Sequence, residues 1–449
     1  MNQGNSIGHV AEMPPSTPDG VAATAPAVHS VFAPRPGHLE ETGLSKWMLG
    51  DLVCKHLMEA GVLDLGEIAQ RVALSGRVVE ELLHFLRAEG RVELRSRRDN
   101  SPLLRFGLTD AGRNAALDAA QRDGYVGPAP ITLAHYKQLI QAQSPRRIAV
   151  TREKVAKTFE DTVIQAALLE RLGPAVCSGR AIFIYGEPGT GKTFIARRLH
   201  RLLDTPMLLP HAVAVGEHVI AYLDPSVHVP IDVPGNDVGS GRLSEGFDNR
   251  LVLCERPFVV VGGELTMDLL TLQFDESSRG YAAPLQLKAN GGLFLIDDLG
   301  RQQVRPETLL NRWIIPMEEK RDQLSLRNGR HFSVPFDLTL VFSTNLQPRD
   351  LADEAFLRRI GYKVRFAAAS RDDYAAIWQQ VCGQLRIDFD EQLLHYAWEQ
   401  LHAPNATPLM QCYPRDLLQL ATDRAAFIGA SGVDRESLDW AWQNYFLEG

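Results

Sequence analysis

Ala181-Ile182-Phe183-Ile184-Tyr185, then Gly186-Glu187-Pro188-Gly189-Thr190-Gly191-Lys192-Thr193, then Phe194-Ile195-Ala196-Arg197-Arg198-Leu199 reads as a strand, a glycine-rich loop and a helix. The glycines let the backbone fold tightly and aim N–H groups at phosphate oxygens, and the helix that follows adds the positive end of its dipole. Lys192 is placed to reach β- and γ-phosphates, and Thr193 to put its hydroxyl on Mg²⁺. A Gly/Pro turn can match such an octet by chance. The apolar strand before it and the helical stretch after it make nucleotide binding the stronger reading, with ATP and Mg²⁺ as the expected ligands.

A second apolar strand, Leu293-Phe294-Leu295-Ile296, ends in Asp297-Asp298. An apolar strand is the usual way to bring acids to the edge of a parallel sheet beside a phosphate loop, and this is a Walker B pattern. Adjacent carboxylates raise each other's pKa unless a cation lies nearby, and Mg²⁺ supplies that cation. Asp297 is expected to hold the metal and Asp298 to orient or deprotonate the attacking water. A third strand, Leu338 to Ser343, ends in Thr344-Asn345 and puts an amide where it could position that water. Further on lie Asp353-Glu354-Ala355-Phe356-Leu357-Arg358-Arg359 and Tyr413-Pro414-Arg415-Asp416-Leu417-Leu418. Singly, a strand ending in Asn fits a turn and an Arg pair fits a solvated helix face.

In this order, the motifs over residues 151–449 resemble the AAA+ ATPases. The resemblance implies an α/β core, a parallel sheet between helices, followed by a helical lid. It makes Asn345 the sensor 1 residue, Arg358 or Arg359 the arginine finger with Arg359 favoured by its place in the motif, and Arg415 the sensor 2 residue. It also implies a ring, most often a hexamer, because the family's finger acts on the neighbouring subunit's nucleotide. Lys288-Ala289-Asn290-Gly291-Gly292 and Leu309-Leu310-Asn311-Arg312 look like the MoxR-type and magnesium-chelatase-like members. Asp298 stands where that family commonly has Glu, so its reach is one methylene shorter.

Composition bounds the rest. With 449 residues, 45% of them hydrophobic and 23% charged, the chain has the make-up of a globular protein of two or three domains. A net charge of −8 argues against indiscriminate binding to nucleic acid or anionic membrane. Five scattered cysteines without CxxC spacing and the absence of a long apolar run lead us to expect a reduced, cytoplasmic protein with no membrane anchor.

The text of the chain divides into a Pro/Ala-rich, disordered tail over 1–37, a front domain over 38–123, a Gly/Pro-marked linker over 124–150, the ATPase domain over 151–369 and a lid over 370–449. A β-rich insertion over about 208–262 accounts for the long gap between Lys192 and Asp297, and Arg152 to Arg171 is expected as one amphipathic helix. Short helices followed by two strands make the front domain winged-helix-like. Were it to bind DNA, it would use residues 76–98, with Gly76 to Ala88 in the major groove and Arg95, Arg97 and Arg98 on phosphates. Glu80 and Glu81 offset Arg77 and Arg87 on that helix, which favours protein contact. Two function classes follow: a ring ATPase that remodels or assembles a protein client, or a DNA-associated ATPase. Gly280-Tyr281 reads either as a pore-loop aromatic or as a buried tyrosine, the latter being favoured.

Overall fold

A computed structural model of the chain describes residues 34–95, 104–231, 247–351 and 353–446. The front domain comprises α1 (Lys46–Ala60), β1 (Val62–Asp64), α2 (Leu65–Val72), α3 (Gly76–Ala88), β2 (Val92–Arg95), β3 (Arg105–Leu108) and α4 (Asp110–Arg122). Its starts are set by side chains: Ser45, Asp64, Ser75 and Thr109 each accept a backbone N–H at a helix N-terminus. The apolar faces of the helices close over a three-stranded antiparallel sheet in the order β1-β3-β2. The proposed wing-tip residues Arg97 and Arg98, like most of the N-terminal tail and the run 232–246, lie outside the described residues.

Beyond the front domain the chain runs through β4 (Ile131–Thr132), α5 (Leu133–Ala142), α6 (Arg152–Thr158), α7 (Ala166–Ser178), β5 (Ile182–Gly186), α8 (Lys192–Leu199), β6 (Met207–Pro210), β7 (Ala212–Val215) and β8 (His218–Ala221). It continues through β9 (Leu251–Cys254), β10 (Phe258–Val261), β11 (Gln273–Asp275), β12 (Gly280–Ala282), β13 (Leu293–Ile296), α9 (Pro306–Glu319), β14 (Arg321–Ser325), β15 (His331–Pro335), β16 (Thr339–Thr344) and β17 (Tyr362–Phe366). The lid adds α10 (Arg371–Leu385), α11 (Glu391–Tyr396), α12 (Tyr413–Ile428) and α13 (Arg435–Tyr445).

Two five-stranded sheets result. The first is wholly parallel, in the order β10-β13-β16-β5-β17. Its central strands β13, β16 and β5 are buried on both faces, as in sheets covered by helices on each side, while the edge strand β17 alternates and exposes Lys363 and Arg365. Phe294 and Ile296 face a cluster with Leu309, Leu310 and Trp313 of α9, while Leu293 and Leu295 face one with Leu172 of α7 and Ile195 and Leu199 of α8. Together with the helical lid this is an α/β P-loop core, a parallel sheet between helices, as expected from the sequence. The second sheet is mixed, in the order β11-β12-β8-β7-β4, and packs with the β6/β9 and β14/β15 pairs around Tyr136, Met207, Tyr222 and Phe332.

Three sequence expectations are corrected here. Residues 124–150 are not a linker: β4 pairs with β7, and Ile131, Tyr136, Leu139 and Ile140 are buried in the second core. The insertion does not run to 262, because β10 is an edge strand of the parallel sheet, and the second core instead recruits α5, β14 and β15 from outside that range. The stretch Arg152 to Arg171 is broken between α6 and α7, where the α6 cap Phe159 turns inward and is buried.

The second core is pinned to the first by the Lys288-to-Gly292 motif. Buried Asn290 donates from Nδ2 to Tyr136 Oη (2.9 Å) and Pro335 O (2.8 Å), and its Oδ1 accepts from Asp337 N (2.9 Å). A Cβ on Gly292 would stand 1.9 Å from Pro257 O, so no larger residue fits there. Arg312, from the second motif, bridges to the buried carboxylate of Asp322 at 2.7 Å. Tyr281 is buried and its hydroxyl accepts from Arg327 N, which matches a core tyrosine rather than a pore-loop aromatic.

Candidate functional site

The C-terminal ends of β5, β13 and β16 open onto one edge of the parallel sheet. At the end of β5, Gly186 takes φ 148° with its Cα so close to the neighbouring strand that a Cβ would sit 2.0 Å from Phe366 O. Only glycine allows the loop to leave the sheet there. Thr190 Oγ1 donates to Glu187 O (2.8 Å) and closes the loop, and Lys192 begins α8.

Lys192 is buried, and its Nζ donates to Gly186 O (2.9 Å), Glu187 O (2.8 Å) and Asn345 Oδ1 (2.7 Å). Burial pushes its pKa down, and the charges of Asp298 and Asp297 oppose that shift. Thr193 Oγ1 lies 3.1 Å from Asp297 Oδ1. Asn345 donates from Nδ2 to Asp298 Oδ1 at 3.2 Å, so one amide joins the lysine to the second acid. Lys192, Thr193, Asp297, Asp298 and Asn345, drawn from three separate stretches of sequence, thus form one connected cluster. It offers a buried cation, two carboxylates, a hydroxyl and a helix N-terminus to a polyphosphate and a hard divalent cation.

The three arginines are not in that cluster. Arg358 is exposed at the end of the short helix Glu354–Leu357. Arg359, favoured from its place in the motif, instead pairs through Nε with Glu318 Oε1 at 2.5 Å. Arg415 is exposed on the first turn of α12 and pairs with Asp416 at 3.2 Å. The lid meets the phosphate loop through different residues: Cys412 N donates to Gly189 O (3.0 Å), and a Cβ on Gly189 would stand 2.6 Å from Cys412 Sγ and 3.3 Å from Met410 Cβ. Nothing in the sequence marks Met410 or Cys412 for this role, since neither belongs to a motif.

Fold and cluster define an α/β P-loop core carrying a helical lid. A family model described as "Domain of unknown function (DUF8689)" matches residues 370–444, which is the lid. Among solved structures, the chain is similar to the RuvB Holliday junction branch migration motor of Thermotoga maritima, at 13% identity and a TM-score of 0.37, over 67% of this chain and 71% of that one. It is similar to domain III of the replication initiation protein DnaA of the same organism, at 14% identity and a TM-score of 0.39, over 67% and 100%. A model of the complex between the BchI and BchD subunits of magnesium chelatase matches at 18% identity and a TM-score of 0.29, over 67% and 93%. None of these likenesses is close enough to carry a functional conclusion. No curated protein sequence matches the chain.

Among the described residues, no helix is long and apolar enough to cross a membrane. Cys54, Cys177, Cys254, Cys382 and Cys412 are free thiols.

Proposed function

We propose that this chain is an ATP-hydrolysing ring ATPase that remodels or assembles a protein client. The observation that carries the reading is the convergence of Lys192, Thr193, Asp297, Asp298 and Asn345 at one sheet edge. Thr193 Oγ1 and Asp297 are the oxygens that would hold Mg²⁺, which when bound neutralises charge on β- and γ-phosphate oxygens. The loop amides and Lys192 bind and orient the triphosphate. Asn345 orients the attacking water, and an Asp298 carboxylate oxygen takes its proton as the bond to the γ-phosphorus forms and the β–γ bridge breaks, giving ADP and phosphate.

The finger acting in trans from a neighbouring copy is assigned to Arg358. It is exposed, whereas the guanidinium of Arg359 is engaged by Glu318 of its own chain. An arginine suits transition-state charge because its planar fork is always charged. The ring is most simply a hexamer, and Arg415 would report nucleotide state to the lid.

A protein client is favoured over DNA by the surroundings of α3. Residues 36–39 lie across it: Ser75 Oγ donates to Pro36 O (3.1 Å), Leu39 N donates to Glu81 Oε2 (3.2 Å), and His38 pairs with Glu81. The start of the helix that would have to enter a major groove is thereby covered, and the adjoining surface carries Glu40, Glu80 and Glu81. Lys46 and Arg77 share that surface, so acids and bases offset each other and phosphates meet no concentrated positive charge there.

The test is steady-state ATPase and oligomer mass of the full chain with Mg²⁺, with and without duplex DNA at physiological salt. Lys192→Ala is expected to abolish nucleotide binding; unchanged affinity sinks the phosphate-loop assignment. Turnover indifferent to DNA supports the protein client, and DNA-stimulated turnover or assembly replaces it with the DNA-associated class. Arg358→Ala is expected to lower turnover of the assembled ring by about 10³-fold and Arg359→Ala by far less; the reverse order returns the finger to Arg359.

A further inference from the structure

After β13 the chain must reverse within a few residues, and the turn it uses is unusual. Asp298 takes φ 48°, the left-handed region, without being glycine. That conformation costs an L-residue about 1–2 kcal/mol and persists only where the surroundings hold it. Most of the turn's backbone groups are accounted for by the sheet: Asp297 N donates to Val261 O (2.7 Å), Leu299 N to Ser343 O (2.8 Å), and Leu299 O accepts from Thr344 Oγ1 (2.7 Å). Asp298 O accepts from Arg301 N (3.0 Å), and one side chain reaches it together with the carbonyls of Asp297 and Gly262. Gln302 Nε2 lies 3.0 Å from Asp297 O, 3.2 Å from Asp298 O and 3.3 Å from Gly262 O, while its Oε1 accepts from Gly300 N at 2.8 Å.

We propose that Gln302 is a positioning residue that holds the Walker B turn in the conformation that aims the Asp298 carboxylate at Asn345. Its amide ties the carbonyls of both acids to the end of β10, and its carbonyl fixes the reversal at Gly300. Released from these bonds, Asp298 relaxes to negative φ, its Cβ swings relative to the sheet, and the 3.2 Å contact with Asn345 Nδ2 is lost. Because Asn345 also accepts from Lys192 Nζ, the turn is linked through one amide to the phosphate-loop lysine. Gln302 touches none of the reacting groups itself. Its effect on rate passes entirely through Asp298, and this inference rests on the ATPase reading above.

The test uses the full chain, Gln302→Met (similar length, no donors), Asp298→Asn and the double variant. Three quantities are read: ADP affinity by calorimetry, the rate of a single ATP turnover, and hydrogen exchange of the 298–301 amides. Gln302→Met is expected to leave ADP affinity within about twofold, slow turnover about tenfold and speed exchange at 298–301 but not at 182–186. In the Asp298→Asn background, Gln302→Met is expected to add nothing, since the two side chains act as one unit. An equal fold-loss in both backgrounds, an unchanged rate, or a parallel loss of ADP affinity overturns the positioning role. Should the wild-type chain turn over no ATP, the ATPase reading falls by itself, and unchanged exchange at 298–301 in Gln302→Met then overturns the positioning role independently.

Discussion

In the parallel sheet every strand points the same way, so Gly186, Asp297 and Asn345 are delivered to one edge by strands remote in sequence. In the mixed sheet β11-β12-β8-β7-β4, directions alternate between antiparallel and parallel pairs, and strand ends are split between opposite edges. What it does instead is join. Its β4 leads out of the front domain, Val219 N at β8 donates to Asp123 (2.6 Å), and Arg279 O beside β12 accepts from Gly124 N (2.8 Å). Chemistry collects where strands agree in direction; in this chain, attachment is the work of the sheet where they do not.

The largest way to break that contrast is at the joint. Arg250 and Asp248 form a fully buried ion pair at 2.8 Å, and Arg250 Nη1 also reaches Thr42 O and Pro130 O. Arg250→Ala leaves a buried carboxylate unpaired and is expected to cost about 3–5 kcal/mol in denaturant unfolding. The combined change Arg250→Met with Asp248→Leu is expected to recover most of that loss, because a desolvated pair can be replaced by apolar volume. No recovery would mean that the bonds to Thr42 and Pro130, not the charge pair, hold the joint.

At the chemical edge, Asp298→Asn is expected to lower turnover about 10²-fold, about 2.7 kcal/mol, with unfolding unchanged. Equal losses of rate and stability would show that the cluster, like the joint, is mainly structural. A smaller effect is expected from Tyr281→Phe in the mixed sheet, which removes one hydrogen bond from Arg327 N and should cost about 1 kcal/mol of stability without altering turnover. A fall in client-stimulated turnover there would restore the pore-loop reading.

The smallest effect is on pH dependence. Burial depresses the pKa of His56, His200, His228 and His402 below the ordinary 6.5. The unfolded chain therefore binds more protons than the folded one near that value, so stability is complete above about pH 6.5 and falls as pH drops through the depressed folded values. Each unit of depression corresponds to about 1.4 kcal/mol. Thermal unfolding should shift downward between about pH 7 and about pH 5, and His402→Gln in the lid should flatten the profile. A melting temperature insensitive to acid would remove these imidazoles from the account.

The cluster was legible because each member sits at the end of a strong apolar strand and belongs to a local pattern: glycine loop and lysine, strand and acid pair, strand and Asn. The mixed sheet was not. Its strands have only two to four residues and its core gathers segments from 131 to 334, so no window of sequence contains enough of it to show a period. The ion pair of Arg359 was hidden for a related reason: its partner Glu318 lies 41 residues earlier, on α9. Gln302 carries no pattern at all, because its partners are backbone carbonyls, which any sequence supplies.

The contact of Gly189 with Cys412 gives the molecule a mechanical property. The lid bears on the phosphate loop directly, backbone to backbone, and Cys412 adjoins Tyr413, whose ring lies among His402, Tyr445 and Phe446. Loop and lid are therefore joined by one direct backbone hydrogen bond, and the residue that donates it is followed at once by a ring of the lid's aromatic cluster.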